Sequence, residues 1–254
     1  MAVLITAAAP TGTSGYTLLL ADDQSHVEAA QRLRHDVFAG ELGATLPGAT
    51  ADGRDVDEFD DHCDHLIVRD DATGAVVGTY RMLPPRAAER AGRRYGDGEF
   101  DLAALRPLRD QLVETGRSCV HPDHRSGSVI NLMWAGIARY LHLNNLRWLA
   151  GCASVPLDDG GATAAGVWAR VQAGHLSPPT LRVTPRRDWL AGTDVAGDPR
   201  TQPPALLKGY LRLGSWVCGR PAYDPDFDCA DFYVLFSMDR LDPRYRRHFL
   251  GAVR

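Results

Sequence analysis

Several short stretches of this chain combine residue types that could do chemistry. The run ETGRSCVH carries a carboxyl at Glu114, a guanidinium at Arg117, a thiol at Cys119 and an imidazole at His121. A carboxylate in a partly dry pocket can have a raised pKa and take a proton from an attacking group, directly or through water. Glu114 is therefore a candidate base; an ion-paired strand carboxylate is the alternative. Cys119 and His121 alternate on one strand face, as a thiol nucleophile with its base or as plain packing would. The turn HPDHRSGS follows and opens a helix. Arg125, Ser126, Gly127 and Ser128 there offer backbone N–H groups, a helix dipole and a guanidinium to an anion, although an ordinary strand-to-helix turn reads the same way. The order lacks the G-x-x-x-x-G-K-[ST] pattern of a nucleotide loop. Upstream, Asp57, Asp60, Asp61 and Asp64 form an acidic cluster, suited to a cationic ligand or to a solvated loop. Its order is not that of a calcium loop.

These groups must be positioned by regular elements. Residues 16–20 read as a strand. A helix starts at Ser25 with Glu28 as a capping box, and Arg34 and Phe38 share a face on it. Residues 43–61 are Gly- and Asp-rich loop. The runs 65–69 and 75–83, joined by an Asp/Gly turn, predict an antiparallel hairpin. Residues 84–110 are a Pro- and Arg-rich connection with a short helix at 101–106. Residues 112–120 and 146–155 read as strands. Between them Val129, Leu132, Met133, Gly136, Ile137, Tyr140 and Leu141 mark one face of a helix. Helices are expected at 162–172 and 205–213, loop at 176–202, and a last apolar strand at 231–238. Glu114 and Arg117 are three apart, so a flat strand puts them on opposite faces; a bulge or strand end must intervene if both serve one site.

Composition narrows the function. The chain has 254 residues and a net charge of −4, which excludes a basic nucleic-acid footprint over the whole protein. It suits one domain over residues 15–254, with residues 1–14 expected disordered. Five cysteines without a C-x-x-C pair argue against a disulfide framework or a zinc site, and no other metal site is expected. No stretch reaches the roughly 18 apolar residues of a membrane span, and no signal peptide is evident. The expectation is a soluble cytoplasmic protein. Arginine clusters at Arg86, Arg90, Arg93 and Arg94, at Arg182, Arg186 and Arg187, and at Arg244, Arg246 and Arg247 are solvated surface or docks for an acidic protein or an anionic bilayer.

The strand–VHPDHR–helix segment resembles the acetyl-coenzyme A binding motif of the GNAT acyltransferases. The blocks FDDHCDHLIV, VVGTYRML, ETGRSCVHPDHRSGSVINLMWAGIARY, LAGCAS and PPALLKGYLRLGSWVCGRPAYDPDFDCADFYVLF, in this order, resemble the bacterial ornithine-lipid N-acyltransferases, also called hemolysin-like. The match runs over about residues 16–250. The resemblance implies an α/β fold: a mixed, mostly antiparallel twisted sheet with helices on both faces, in which the fourth and fifth strands splay to admit a pantetheine arm. It implies transfer of a 3-hydroxy fatty acyl group from an acyl carrier protein thioester to the α-amino group of ornithine, the first step of ornithine lipid synthesis. The alternatives are a coenzyme A–dependent N-acetyltransferase and an autoinducer-type synthase acting on another small amine. No tightly bound cofactor is implied; the acyl-phosphopantetheine thioester, on carrier protein or coenzyme A, is a co-substrate. The implied partners are acyl carrier protein and a small amino acid, with peripheral contact at the inner face of the cell membrane left open.

Charged positions are also similar to those of the acyl-homoserine-lactone synthases. That resemblance assigns substrate binding to Arg34, Phe38, Asp57, Asp60 and Arg81, and places Glu114 and Arg117 on the fourth strand. The tryptophan those synthases carry after the first helix is absent from AGELGATL, which weighs against a homoserine-lactone product. Aminolysis of a thioester also needs oxyanion donors, here backbone N–H groups near Cys119 and Val120, where such strands carry a bulge. Trp134, Trp148, Phe232 and Phe236 are candidate walls of an acyl tunnel or plain core. A full R-x-x-G-x-G loop is missing, so the diphosphate of coenzyme A is expected to matter little.

Overall fold

The computed structural model describes residues 2–7, 15–125, 127–193, 195–241 and 244–245. Ser126, Arg246, Arg247 and the 8–14 part of the segment expected disordered lie outside the described residues. The elements in chain order are β1 (Ala2–Ala7), β2 (Tyr16–Leu20), α1 (Gln24–His35), β3 (Asp64–Asp70), β4 (Val76–Leu83), α2 (Pro85–Ala91), β5 (Phe100–Asp101), β6 (Leu112–Val120), α3 (Gly127–Leu143), β7 (Trp148–Pro156), α4 (Ala162–Gly174), β8 (Thr184–Pro185), α5 (Ala205–Arg212), β9 (Trp216–Val217), β10 (Ala222–Asp224) and β11 (Cys229–Ser237). They fall into two compact units. One comprises residues 1–90, 115–146 and 243–254, the other residues 91–114 and 147–242. Strand β6 begins in the second unit and ends in the first.

In the first unit β1, β2, β3 and β4 pair antiparallel in that order. Residues 2–7 were expected disordered; they form an edge strand on β2 instead, because their apolar run finds a pairing edge that composition cannot reveal. Alternation divides the side chains. Leu19 and Ile67 pack with Ala30 of α1, whereas Leu18 meets Gly136 of α3. Neighbouring strand residues point to opposite faces, so helices cover both faces of this sheet. The cap of α1 is Asp23, which accepts the N–H of His26 at 2.9 Å. Ser25 lies inside the helix and donates to Asp23, so the expected capping box starts two residues late.

In the second unit β7, β11 and β10 pair antiparallel, β9 pairs with β11, and β5 pairs with β8. Every residue of β11 is buried. Phe100, Leu105, Leu112, Val183, Tyr233 and Leu235 are among the residues that build its core. Phe232 and Phe236 are buried strand residues at 0% and 5% exposure. The parallel pairing of β6 with β7 covers only Leu112–Glu114 against Trp148–Ala150, three residues of two nine-residue strands. Among the described residues, no helix is long and apolar enough to cross a membrane.

The loop between α1 and β3 closes on itself through a backbone bridge between Ala49 and Asp55. Val56 N–H donates to the Gly48 carbonyl at 3.2 Å, and a Cβ on Gly48 would fall 1.6 Å from the Val56 carbonyl oxygen. Backbone cannot retreat as a side chain can. Gly48→Ala should therefore cost stability near the upper end of the roughly 1–3 kcal/mol of overpacking, read as a lower urea midpoint. An unchanged midpoint would show that the loop closes some other way.

Candidate active site

The first unit holds a buried charge network. Gln31 and Arg34 lie three apart on α1 and are 4% and 0% exposed. The loop returns to this helix through the Asp55 N–H, which donates to the Gln31 carbonyl at 3.1 Å. That bond delivers the Asp55 carboxylate to Arg34, whose Nε donates to it at 2.8 Å. The two terminal nitrogens of Arg34 grip both oxygens of Asp60, at 2.9 and 2.7 Å, and one also donates to the Asp55 carbonyl. Arg81, on β4, donates to Asp57 at 2.5 Å and to Asp60 at 3.0 Å. Arg117 lies 3.1 Å from Asp55 and 3.5 Å from Asp57. Three guanidinium groups thus meet three carboxylates, and the charges cancel.

Five residues expected to act together are therefore brought together: Arg34, Asp57, Asp60, Arg81 and Arg117. Asp55 completes the network and was missed, since nothing in its local sequence sets it apart from the other loop acids. Phe38 is buried, 7% exposed, on the π-helical turn that follows α1. Arg117 has a φ of 52°, a left-handed conformation inside β6. This interrupts the alternation that would hold for a flat strand.

Electrostatics follow from burial. Desolvation alone would push the Asp60 carboxyl up; hydrogen bonds and attraction from Arg34, then Arg81, outweigh it and hold the group well below the usual range. Asp57 behaves likewise, with burial opposed chiefly by Arg81. At 6% exposure and doubly gripped, Asp60 is not a solvated loop residue. Nor is it an open anion waiting for an ammonium, which corrects the expectation that it binds the amine directly. Burial pushes His65 down, and its neutral ring holds the Asp60 carbonyl through Nε2 at 3.1 Å. The rest of the acidic cluster disperses. Asp61 is exposed, and Asp64 accepts from Tyr140 Oη at 2.5 Å.

The other expected groups sort by environment. Cys119 is 7% exposed, and burial pushes its thiol up to about 12. It is no thiolate at neutral pH, so the thiol-nucleophile reading fails. His121 lies beyond the end of β6 and uses Nδ1 to accept the Asp123 N–H at 3.3 Å. Arg125 is engaged at both ends, by Glu41 at 2.6 and 2.5 Å and by the Val120 carbonyl at 3.1 Å. Gly127 and Ser128, the first residues of α3, are exposed.

Glu114 belongs to the second unit. It is 3% exposed, and burial raises its pKa against the opposing backbone donors and Arg94. Tyr95 N–H donates to Oε2 at 2.7 Å, Gly96 N–H to Oε1 at 2.9 Å, and Tyr233 Oη to Oε1 at 3.3 Å. The carboxylate thus anchors the 95–98 turn, and Oε2 keeps an unused lone pair.

Known proteins place the chain in a class. A family profile described as an acetyltransferase (GNAT) domain matches residues 33–135. Among solved structures, the acyl-homoserine lactone synthase LasI aligns with a TM-score of 0.55 at 12% identity, over 94% of this chain and 96% of that one. The coenzyme A–dependent acyl-homoserine lactone synthase BjaI, with SAM and isopentyl-CoA, aligns at 0.53 and 18% identity, over 90% and 82%. The fold is the GNAT fold, and the chain is an acyltransferase of that class. The L-ornithine N(alpha)-acyltransferase of Rhodobacter capsulatus is 35% identical over 97% of this chain and 98% of its own length. That of Brucella abortus is 32% identical over 91% and 87%. This chain belongs to the L-ornithine N(alpha)-acyltransferase family.

Removing one member of a buried ion cluster strands the others. Arg34→Leu leaves three carboxylates facing two guanidinium groups and should cost about 3–5 kcal/mol, measured by urea unfolding. A loss below 1 kcal/mol would mean that the network contributes nothing to the fold. The depressed carboxyls set the pH response. Asp57 and Asp60 bind protons less readily folded than unfolded, so their stabilisation is present above roughly pH 4 and is lost as pH falls below it. The urea midpoint should drop on acidification, and less steeply in Asp60→Asn. Parallel slopes would contradict this.

Proposed function

We propose that the chain transfers a long, 3-hydroxylated acyl group from an acyl carrier protein thioester to the α-amino group of ornithine, opening ornithine lipid synthesis. The observation that carries this reading is the match, over nearly the whole length, to relatives named for that acceptor and that nitrogen. In the reaction the free amine attacks the thioester carbonyl, the new C–N bond forms, the amine loses a proton, and the pantetheine thiolate leaves. Glu114 takes the proton through a water on Oε2; its raised pKa and spare lone pair favour this role. Backbone N–H groups at Cys119 and Val120 receive the developing oxyanion. The start of α3, with Gly127 and Ser128, holds the phosphopantetheine phosphate. Arg34, Arg81 and Arg117, with Asp57, fix the loop between α1 and β3. Carrier protein is favoured over coenzyme A because Arg125, the cation at the phosphate turn, is already held by Glu41. Contact with the inner face of the membrane, where the product must go, fits the exposed arginines.

Expression in a host that lacks ornithine lipids should yield acylated ornithine by mass spectrometry of total lipids. Purified protein should use acyl carrier protein thioester faster than the matching coenzyme A thioester. No lyso-ornithine lipid, or a preference for acetyl-coenzyme A, would overturn the reading. Glu114→Gln should lower kcat on the order of 10²–10⁴-fold, with partial recovery at higher pH, where more of the amine is free. It should also lower the thermal midpoint, because the new amide NH2 faces a backbone N–H that had an acceptor, at a cost of about 1–3 kcal/mol. A lower midpoint with unchanged kcat would make Glu114 an anchor only.

A further inference from the structure

The second unit contains a cavity of about 520 Å³ whose lining carries both signs of charge: Glu99, Asp224 and Asp226, and Arg186 and Arg187. Its acidic floor is set by the sheet. Asp224 pairs with Cys229 across β10 and β11, and Cys229, Asp231 and Tyr233 follow at two-residue spacing. Tyr233 in turn pairs with Cys152 on β7. Paired and alternate residues share a face, so one face carries a polar row from Asp224 to Tyr233, whose hydroxyl reaches Glu114. Glu99 lies over this row and accepts from the Cys152 thiol at 3.5 Å.

The floor lacks a counter-charge. Among the described residues no arginine, lysine or histidine pairs with Glu99, Asp224 or Asp231, in contrast to the acids of the first unit. The Oε1 atom of Glu99 is shut off from solvent and receives no hydrogen bond. Asp224, 8% exposed, uses Oδ1 to accept the N–H groups of Asp226 and Phe227 at 2.8 and 3.3 Å, while Oδ2 accepts none among the described residues. Burial, then repulsion from Asp231, pushes Glu99 up to about 10 and raises Asp224 as well. Carboxyls in this condition gain from an entering cation. At the rim, Arg186 is held through Nε by the Asp97 carbonyl at 2.7 Å. Arg187 is exposed and has no side-chain hydrogen bond among the described residues.

We propose that this cavity is the acceptor subsite and takes an α,ω-diamino acid, its side-chain ammonium on Asp224 and Glu99 and its α-carboxylate on Arg187. The assignment rests on the amino-acid acceptor proposed above and says where selectivity for a second amine resides. The arrangement leaves the α-amine as the nitrogen free of both charged contacts. Glu114 contributes as a positioning residue too, since it fixes the Tyr95–Gly96 backbone and Tyr95 lines the same cavity.

The test edits protein and ligand together. Full-length wild type, Asp224→Asn and Arg187→Gln are titrated calorimetrically with L-ornithine, with L-norvaline, which lacks the side-chain amine, and with putrescine, which lacks the carboxylate. Charge-assisted hydrogen bonds predict a loss of ornithine affinity of about 10-fold or more in each variant. Asp224→Asn should leave norvaline binding unchanged, and Arg187→Gln should leave putrescine binding unchanged. Asn keeps the Oδ1 acceptor that holds the 224–227 turn; should that variant still fail to fold, Arg187→Gln, at an exposed position, decides alone. If wild type acylates ornithine while the variants bind it with unaltered affinity, the cavity assignment falls and the acceptor stands. If wild type neither binds nor acylates ornithine, both fall.

Discussion

The burial of one guanidinium governs the first unit. Arg34 sits on α1 at zero exposure, where an uncompensated charge would be prohibitive. Its Nε and terminal nitrogens point in different directions, and each needs an acceptor. Those acceptors, Asp55 and Asp60, lie far along a Gly- and Asp-rich stretch with little local preference for any one path. Satisfying Arg34 therefore orders the whole connection between α1 and β3. Once Asp55 and Asp60 are placed, Asp57 between them meets Arg81 and Arg117. The strands β4 and β6 are thereby tied to the same charge cluster, and the left-handed turn of backbone at Arg117 is held by the ion pairs it makes.

The two units treat carboxylates in opposite ways. In the first, burial raises the pKa of Asp57 and Asp60, and neighbouring guanidinium groups more than reverse it. In the second, Glu99, Glu114 and Asp224 are raised, because burial is joined by like charges and, among the described residues, no basic side chain pairs with Glu99 or Asp224. The depressed acids are fixed anions at any physiological pH and serve as structure. The raised ones bind a proton more readily than a solvated carboxyl does, as a general base must. Glu114 stands between the two kinds, since backbone N–H donors supply part of what an arginine would.

Much of this was legible in the sequence, and the reason is local physics. The apolar face of 129–141 specified α3. Alternation and an Asp/Gly turn specified β3 and β4. The run 112–120 was a strand, and the three-residue gap between Glu114 and Arg117 called for an irregularity in it only if both were to serve one site. The resemblance added what period and spacing cannot, namely that Arg34, Asp57, Asp60, Arg81 and Arg117, spread over more than 80 residues of chain, belong to one set of positions; that they pair with one another came only from the structure. It also supplied the family, which similarity over the whole length bears out.

Tertiary structure decided the rest, and each case turns on an environment rather than a residue type. Residues 2–7 became a strand only because β2 offered an unpaired edge. Whether an aspartate is solvated loop, structural anion or ligand dock depends on what lies beside it; Asp61 is exposed and Asp60 buried, one residue apart. Cys119 is reactive or inert according to its burial, which the sequence does not encode locally. Sheet register brings Asp224, Cys229, Asp231 and Tyr233 to one face and sets Cys152, far off in the chain, beside them, while loop hydrogen bonds place Arg186 and Arg187. Sequence by itself determined the periods, the breakers and the kinship. Charge compensation and strand register, which are long-range and depend on the completed fold, decided which side chains share a site.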